Sequence, residues 1–299
     1  MNNIKTKVGR LVLKNPVLIA SGVCGFGEEN VDVLNKVGGV VFKTVTLHPR
    51  EGNSPPRVVD TCGGMLNSIG LENPGVDGLK EKLSCIKRVK TKKIASFLGF
   101  DEDEFVTILK KVESYKIFDA YEINLSCPNV KKGDWFYNLT NLKQLLKNLR
   151  AMTTKPLIAK LSPETEIIKI TKICAEIGYD GVTLTNTYSG VAVDYKKQKF
   201  CLGNIVGGLS GPAIKPLVLR WIYEIKKSVT IDIIGCGGIV DGKDAIEHFL
   251  VGASAIQVGC GYFRNPQLPV EIVNFIEKYL REKKISLKNL VGKLLLPSV

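Results

Sequence analysis

Residues 231–261 read Ile231-Asp232-Ile233-Ile234-Gly235-Cys236-Gly237-Gly238-Ile239-Val240-Asp241-Gly242-Lys243-Asp244-Ala245-Ile246-Glu247-His248-Phe249-Leu250-Val251-Gly252-Ala253-Ser254-Ala255-Ile256-Gln257-Val258-Gly259-Cys260-Gly261. A short apolar run (Ile231–Gly235) ends in a glycine turn, and a helical stretch follows from Asp241, a residue suited to an N-cap, to Val251. A second apolar run (Ala255–Val258) ends in a second glycine turn. Strand, turn, helix, strand is the signature of a parallel βαβ unit.

The same unit recurs towards the N-terminus. Earlier strand-like runs are Pro16–Ser21, Gly39–Thr44, Lys93–Phe97, Ala120–Asn124, Pro156–Lys160 and Gly181–Asn186, apolar enough to be covered on both faces. Asp103–Ser114, Asn141–Met152, Glu164–Ile177 and Lys215–Lys227 carry helical spacing, with Phe105, Ile108, Leu109 and Val112 on one side of the first and Asn141 suited to cap the second. Eight strands with helical crossovers close into a (β/α)₈ TIM barrel. An open doubly wound sheet would call for G-x-G-x-x-G after the first strand, and Ser21-Gly22-Val23-Cys24-Gly25 is not that motif.

Three segments fall outside the repeat. Thr6–Leu13, centred on Gly9-Arg10, reads as an N-terminal β-hairpin. Pro49–Gly75 and Val191–Gly208 are long insertions after the second and sixth strands, so they belong to the C-terminal face of a barrel. The 299 residues, 44% hydrophobic, suit a single barrel domain spanning 1–299.

The balance of 42 basic and 29 acidic residues gives +13, read as a lysine-rich solvated surface. Its densest run, Lys87-Arg88-Val89-Lys90-Thr91-Lys92-Lys93, lacks the aromatic-basic motifs of nucleic-acid binders, so no nucleic-acid partner is expected. The eight cysteines form no C-x-x-C pair, which argues against a metal or iron–sulfur site in this chain. No apolar stretch approaches membrane-spanning length and Met1–Arg10 is polar; the expected setting is a reducing cytoplasm with free thiols and no membrane partner.

In a barrel, chemistry gathers at the C-terminal ends of the strands. There the sequence places Ser21, Lys43, Ser96, Asn124, Lys160 and Asn186, with Gly237-Gly238 and Gly259 closing the last two units. A buried lysine needs an anionic partner, so Lys43 and Lys160 point to an anionic ligand. Glycines after strands seven and eight let backbone N–H groups approach a phosphate. Cys127, just beyond a strand end and above two lysines, is suited to general-base work, because positive charge raises the thiolate fraction. Taken without its position, a cysteine is more often a small buried apolar residue. Cys85 and Cys174 fall inside helical patterns as packing residues.

Asn124-Leu125-Ser126-Cys127-Pro128-Asn129 resembles the active-site loop of class 1 dihydroorotate dehydrogenases, and Asn67-Ser68-Ile69-Gly70-Leu71-Glu72-Asn73-Pro74-Gly75 resembles their substrate loop. Gly207-Gly208-Leu209-Ser210-Gly211-Pro212-Ala213-Ile214 and Ile234-Gly235-Cys236-Gly237-Gly238-Ile239 are similar to further signatures, in order, from about Leu11 to Leu280. Cys127–Gly133 and Ala192–Gly208 look most like the NAD-linked branch, class 1B. The resemblance implies an FMN enzyme of pyrimidine (UMP) biosynthesis that oxidises dihydroorotate to orotate. It implies a homodimer paired with a subunit carrying FAD and a 2Fe-2S cluster, giving a heterotetramer that passes electrons to NAD⁺.

By the same resemblance, Cys127 removes the C5 proton and Lys43 lies near both flavin and substrate. Asn67, Ser68, Ile69, Gly70, Leu71, Asn124, Asn129, Asn186 and Thr187 hold dihydroorotate or orotate. Ser21, Thr44, Ser96, Asn124, Lys160, Thr185 and Gly211 line the flavin, and Gly237, Gly238, Gly259 and Cys260 hold its phosphate end. Three places depart from the family pattern: Cys260 where Thr is usual, Ser96 where Asn is common, and the bulky Trp135-Phe136-Tyr137 after the catalytic loop. The alternatives are the fumarate-linked class 1A enzyme, the FMN module of a dihydropyrimidine dehydrogenase, and a non-catalytic basic binder. Asn129 after Cys127-Pro128 favours the orotate enzyme over the second.

Overall fold

The computed structural model of the protein describes residues 4–125 and 138–295. Ser126, Cys127, Pro128, Asn129 and the Trp135–Tyr137 trio lie outside the described residues. The chain begins with the expected hairpin, β1 (Thr6–Val8) and β2 (Leu11–Leu13), followed by β3 (Val17–Ile19), α1 (Val31–Leu34) and β4 (Gly39–Val41). The first insertion carries β5 (Val58–Thr61) and β6 (Gly64–Asn67) and leads into α2 (Gly75–Arg88). Then come β7 (Lys92–Phe97), α3 (Glu102–Ser114), β8 (Ala120–Leu125), α4 (Leu139–Met152), β9 (Leu157–Leu161), α5 (Ile167–Ile177) and β10 (Gly181–Leu184). The second insertion carries β11 (Tyr188–Gly190), β12 (Val193–Asp194), β13 (Lys199–Phe200) and β14 (Gly207–Ser210). The chain ends with α6 (Lys215–Ser228), β15 (Asp232–Cys236), α7 (Gly242–Val251), β16 (Ala255–Val258), α8 (Gly261–Arg264), α9 (Leu268–Lys283) and α10 (Leu287–Leu290).

Strands β3, β4, β7, β8, β9, β10, β15 and β16 pair in parallel and in that order, and β16 returns to β3 to close a barrel. Each lies on one of the eight apolar runs expected from sequence. Alternation along the strands sorts two cores. Val17, Ile19, Tyr121, Ile123, Leu157 and Ala159 pack outward with the helices. Leu18, Ile94, Ala120, Ile158, Ile234 and Ala255 pack inward.

The hairpin has a clear purpose. Val8, Leu11 and Leu13 join the inward cluster, so β1 and β2 plug the N-terminal end of the barrel. Two carboxylates fasten the plug. Asp180 accepts from the Arg10 backbone N–H at 2.8 Å, and Asp232 accepts from the Gly9 N–H at 2.7 Å. Gly9 sits at φ +54°, and a Cβ there would come within 2.5 Å of Asp180, so the turn requires glycine.

Two helix details differ from expectation or extend it. The cap of α4 is Asn138, not Asn141: the Asn138 side chain accepts from the N–H groups of Thr140 and Asn141, so the helix starts earlier and Asn141 lies in its first turn. Asp241 does cap α7, and Asp244 returns the bond in a full capping box. The two insertions, which look independent in sequence, meet in space. Strand β14 pairs antiparallel with β6, giving a four-stranded sheet β11-β14-β6-β5. No helix among the described residues is long and apolar enough to cross a membrane.

Candidate active site

A cavity of about 1020 Å³ opens at the C-terminal ends of the strands. The barrel strands supply Lys43 and Thr44 beyond β4, Asn124 on β8 and Lys160 on β9, while Ser21 follows β3 and Thr185, Asn186 and Thr187 follow β10. The first insertion brings Asn67, Ser68, Ile69, Gly70 and Leu71 over the opening; the second brings Gly211. Gly237, Gly238, Gly259 and Cys260 line the side beyond β15 and β16. Residues spread over most of the chain therefore share one space.

Ser96 is placed differently from the direct flavin contact the resemblance implies. It is not among the residues lining the cavity, and its hydroxyl is 2.8 Å from that of Thr44. Thr44 in turn is 2.9 Å from the Ser21 hydroxyl and donates its backbone N–H to Ser21 Oγ at 3.0 Å. The three hydroxyls form a chain in which Ser96 fixes Thr44 from behind. Cys127 and Asn129 lie outside the described residues, so the cavity is defined without them.

The segment that resembles a substrate loop is held by partners that sequence reading passed over. Asn73, almost fully buried, donates to Leu71 O at 2.7 Å and accepts from the N–H groups of Thr46 at 3.1 Å and Gly75 at 2.8 Å. It fixes Leu71, which sits at φ +57°, a conformation that bulky side chains seldom adopt. Arg57 reaches Glu51 O at 2.8 Å and pairs with Glu72 at 2.6 Å, bracing the same loop. Ser68 accepts from Asn53 at 2.8 Å, and Asn67 donates to Gly208 O at 3.2 Å across the β6–β14 pair. The clue to Asn73 was a polar side chain followed by Pro74-Gly75, a pattern that marks a turn fixed by its own side chain.

Behind the glycine turn stands His248, fully buried on α7. A Cβ on residue 235 would lie 2.5 Å from its Cδ2, so Gly235 is required for α7 to pack this closely. Burial pushes the His248 imidazole below its ordinary value, and Nδ1 lies 2.8 Å from Asp244 O. A neutral ring must therefore donate from Nδ1, leaving Nε2 an acceptor.

The cavity is cationic at two points. Lys43 is pulled below its ordinary value chiefly by burial, with Glu72 opposing and Arg57 reinforcing the shift. Lys160 is pushed the other way. Burial works against its ammonium, but Cys236 and Glu122 outweigh that loss and raise it. Gly22 and Gly259 line the same cavity, and a Cβ on either would meet nothing within 4 Å. Bare backbone facing open space beside a buried ammonium suits a flat, polyanionic cofactor.

A family model described as dihydroorotate dehydrogenase matches residues 3–280. The chain belongs to the dihydroorotate dehydrogenase family. Dihydroorotate dehydrogenases are flavin-dependent, and the chemistry of the cavity fits a flavin. Among curated relatives, the protein of Thermodesulfovibrio yellowstonii is 43% identical over 94% of this chain and 95% of its own length. That of Petrotoga mobilis is 42% identical, covering 96% and 97%. That of Trichlorobacter lovleyi is 40% identical, covering 97% and 98%. Each carries the name dihydroorotate dehydrogenase B (NAD(+)), catalytic subunit.

Proposed function

We propose that the chain oxidises dihydroorotate to orotate in pyrimidine biosynthesis, with NAD⁺ as final electron acceptor, as the class 1B resemblance implies. The observation that carries this reading is the convergence of Lys43, Asn67, Asn124, Lys160 and Asn186 on one cavity at the barrel mouth. A chain whose relatives are called catalytic subunits works with a partner subunit; the reading assigns that partner FAD and a 2Fe-2S cluster, and the assembly a heterotetramer built on a homodimer.

The oxidation removes a proton from C5 and a hydride from C6. Cys127 takes the C5 proton. FMN, when bound among the residues named below, would supply the acceptor for the C6 hydride. Asn67, Asn124, Asn129 and Asn186 offer donors and acceptors to the amide-rich edges of the ring, and Ser68, Ile69, Gly70, Leu71 and Thr187 complete its seat. Lys43 neutralises the orotate charge. Ser21, Thr44, Thr185 and Gly211 line the flavin, with Ser96 acting through Thr44. Lys160 supplies positive charge where a reduced flavin gathers negative charge. Gly237, Gly238, Gly259 and Cys260 would offer backbone N–H groups to the phosphate end; Cys260 brings a thiol where the family resemblance leads one to expect a hydroxyl.

The test is anaerobic. Dihydroorotate should bleach the flavin of the purified chain, and NAD⁺ should restore the colour only when the co-expressed partner is present. Bleaching by dihydrouracil instead would point to dihydropyrimidine oxidation, and rapid reoxidation of the lone chain by fumarate would point to class 1A.

A second prediction concerns Lys43. Orotate is an anion, so it binds the charged form of this lysine. Because burial lowers Lys43, affinity is expected to be level near neutral pH and to fall as pH rises, starting below the ordinary lysine value of 10.5. Lys43→Met should bind orotate about 10–100-fold more weakly at pH 7, the worth of a hydrogen bond to a charged group, and should lack that fall. Titration of the FMN-loaded protein with orotate from pH 7 to 10 measures both. An equally steep fall in the variant would clear Lys43 of the role.

A further inference from the structure

Inside the barrel, between the apolar plug layer and the cavity floor, lies a polar layer that the proposed reaction does not use. It comprises Glu122 on β8, Thr183 on β10 and Gln257 on β16, all fully buried. Alternation places Glu122 between Ala120, in the inward apolar cluster, and Asn124, on the cavity wall. Glu122 Oε2 accepts from Thr183 Oγ1 at 2.9 Å and from Gln257 Nε2 at 2.6 Å. Those two donors come from different strands and fix the orientation of the carboxylate.

Two acceptors in this layer remain. Glu122 Oε1 and Gln257 Oε1 have no hydrogen-bond partner among the described residues. A buried acceptor without a donor is costly, and a carboxylate more so. The residue that sits next to the layer with positive charge is Lys160. It is paired in register with Thr183 on one side and with Asn124 on the other, so β9 brings it one step above Glu122 on the inward face. Cys236 from β15 and Glu122 from β8 both favour its charged form.

We propose that Glu122 is a positioning residue: a buried counter-charge, oriented by Thr183 and Gln257, that holds the Lys160 ammonium in place at the cavity floor. The carboxylate touches neither substrate nor flavin; it acts through the lysine. The flavin consequence rests on the reading of Lys160 given above, whereas the coupling of the two side chains does not.

The test separates those two layers. In the flavin-free protein, the Lys160 Nζ is followed by NMR as pH rises. Glu122→Gln keeps the shape and offers Thr183 an acceptor and Gln257 Oε1 a donor, so it should fold. It should lower the pH at which Lys160 titrates by about one unit or more, the effect of losing a close opposite charge. Glu122→Asp, which keeps the charge but withdraws it, should fall between the two. If Glu122→Gln fails to fold, Glu122→Asp carries the test alone. Identical titration of Lys160 with and without the carboxylate overturns the proposal.

FMN affinity then closes a cycle with Lys160→Met. Glu122→Gln should weaken FMN binding at least about 5-fold in the presence of Lys160 and less than about 2-fold in the Lys160→Met background, since coupled residues are not additive. Equal losses in both backgrounds indicate a merely structural role and overturn the proposal. A shifted Lys160 titration with no effect of Lys160→Met on FMN affinity would overturn the flavin role of Lys160 while leaving the counter-charge supported.

Discussion

Cys127→Ser is expected to give a protein that keeps its FMN yet is reduced by dihydroorotate at least about 100-fold more slowly at pH 7, the lower range of what a positioned base contributes. The proposed flavin seat, Ser21, Thr44, Lys160, Thr185 and the glycines beyond β15 and β16, lines the cavity and is unchanged by the substitution. What changes is the proton acceptor. A free thiol ionises near pH 8.5, close enough to neutrality for a useful thiolate fraction, and nearby positive charge raises that fraction. Lys43 and Lys160 supply such charge at the barrel mouth. A serine hydroxyl is far harder to ionise, so the same geometry would deliver a much weaker base. Anaerobic stopped-flow bleaching of the flavin measures the step directly, free of the partner subunit. A serine variant that bleaches at the wild-type rate would remove residue 127 from its role, and with it the proton half of the proposed reaction.

The barrel was legible because its signal is repeated. Each strand-like run could be misread alone, but eight apolar runs separated by helical stretches leave few topologies open. The strand ends were legible for the same reason: once the order is known, Lys43, Asn124, Lys160 and Asn186 must face one mouth, and they do line one cavity. Non-local pairings were not legible. Nothing in Pro49–Gly75 announces that β6 will pair with β14, about 140 positions later, because the contact depends on barrel geometry and not on local spacing. Asn73 and Arg57 escaped for a related reason. Their worth lies in the hydrogen bonds they close within a loop, and composition shows only that the loop is rich in turn formers. Ser96 was legible as a strand end but not as the back of a hydroxyl chain, since register alone does not say which side chain stands in front. Glu122 was hidden in plain view: a carboxylate in the run Ala120-Tyr121-Glu122-Ile123-Asn124 breaks the apolar pattern at an inward position, and an inward charge demands a partner.

Asp180→Ala is expected to cost about 3 kcal/mol of stability, at the low end for breaking a buried ion pair. The Asp180 side chain is 3% exposed and serves several donors at once. Oδ1 accepts from the Arg10 backbone N–H and Nε, each at 2.8 Å; Oδ2 accepts from Arg10 Nη2 at 2.6 Å and from the Leu157 N–H at 3.0 Å. Arg150 stands 3.4 Å away, its side chain 13% exposed. Alanine would leave the Leu157 N–H and the Arg150 guanidinium without this acceptor and would loosen the plug formed by Val8, Leu11 and Leu13. The Arg10 side chain is 53% exposed, so its own ion pair is screened and contributes the smaller share. The charge itself is separable from the shape. Burial works against the Asp180 carboxylate, but the Arg10 and Leu157 hydrogen bonds outweigh it and hold the group below its ordinary 3.8. A carboxylate depressed on folding stabilises the native state at pH values above 3.8, and that contribution drains away as pH falls below it towards the folded value. The stability gap between the wild type and Asp180→Asn should therefore be constant near neutrality and shrink as pH is lowered from about 5 towards 3. Urea denaturation across that range measures it. A gap that stays constant on acidification would mean that the plug is held without charge-dependent help from the carboxylate, and a gap that widens would mean that folding disfavours the charge; either overturns the prediction.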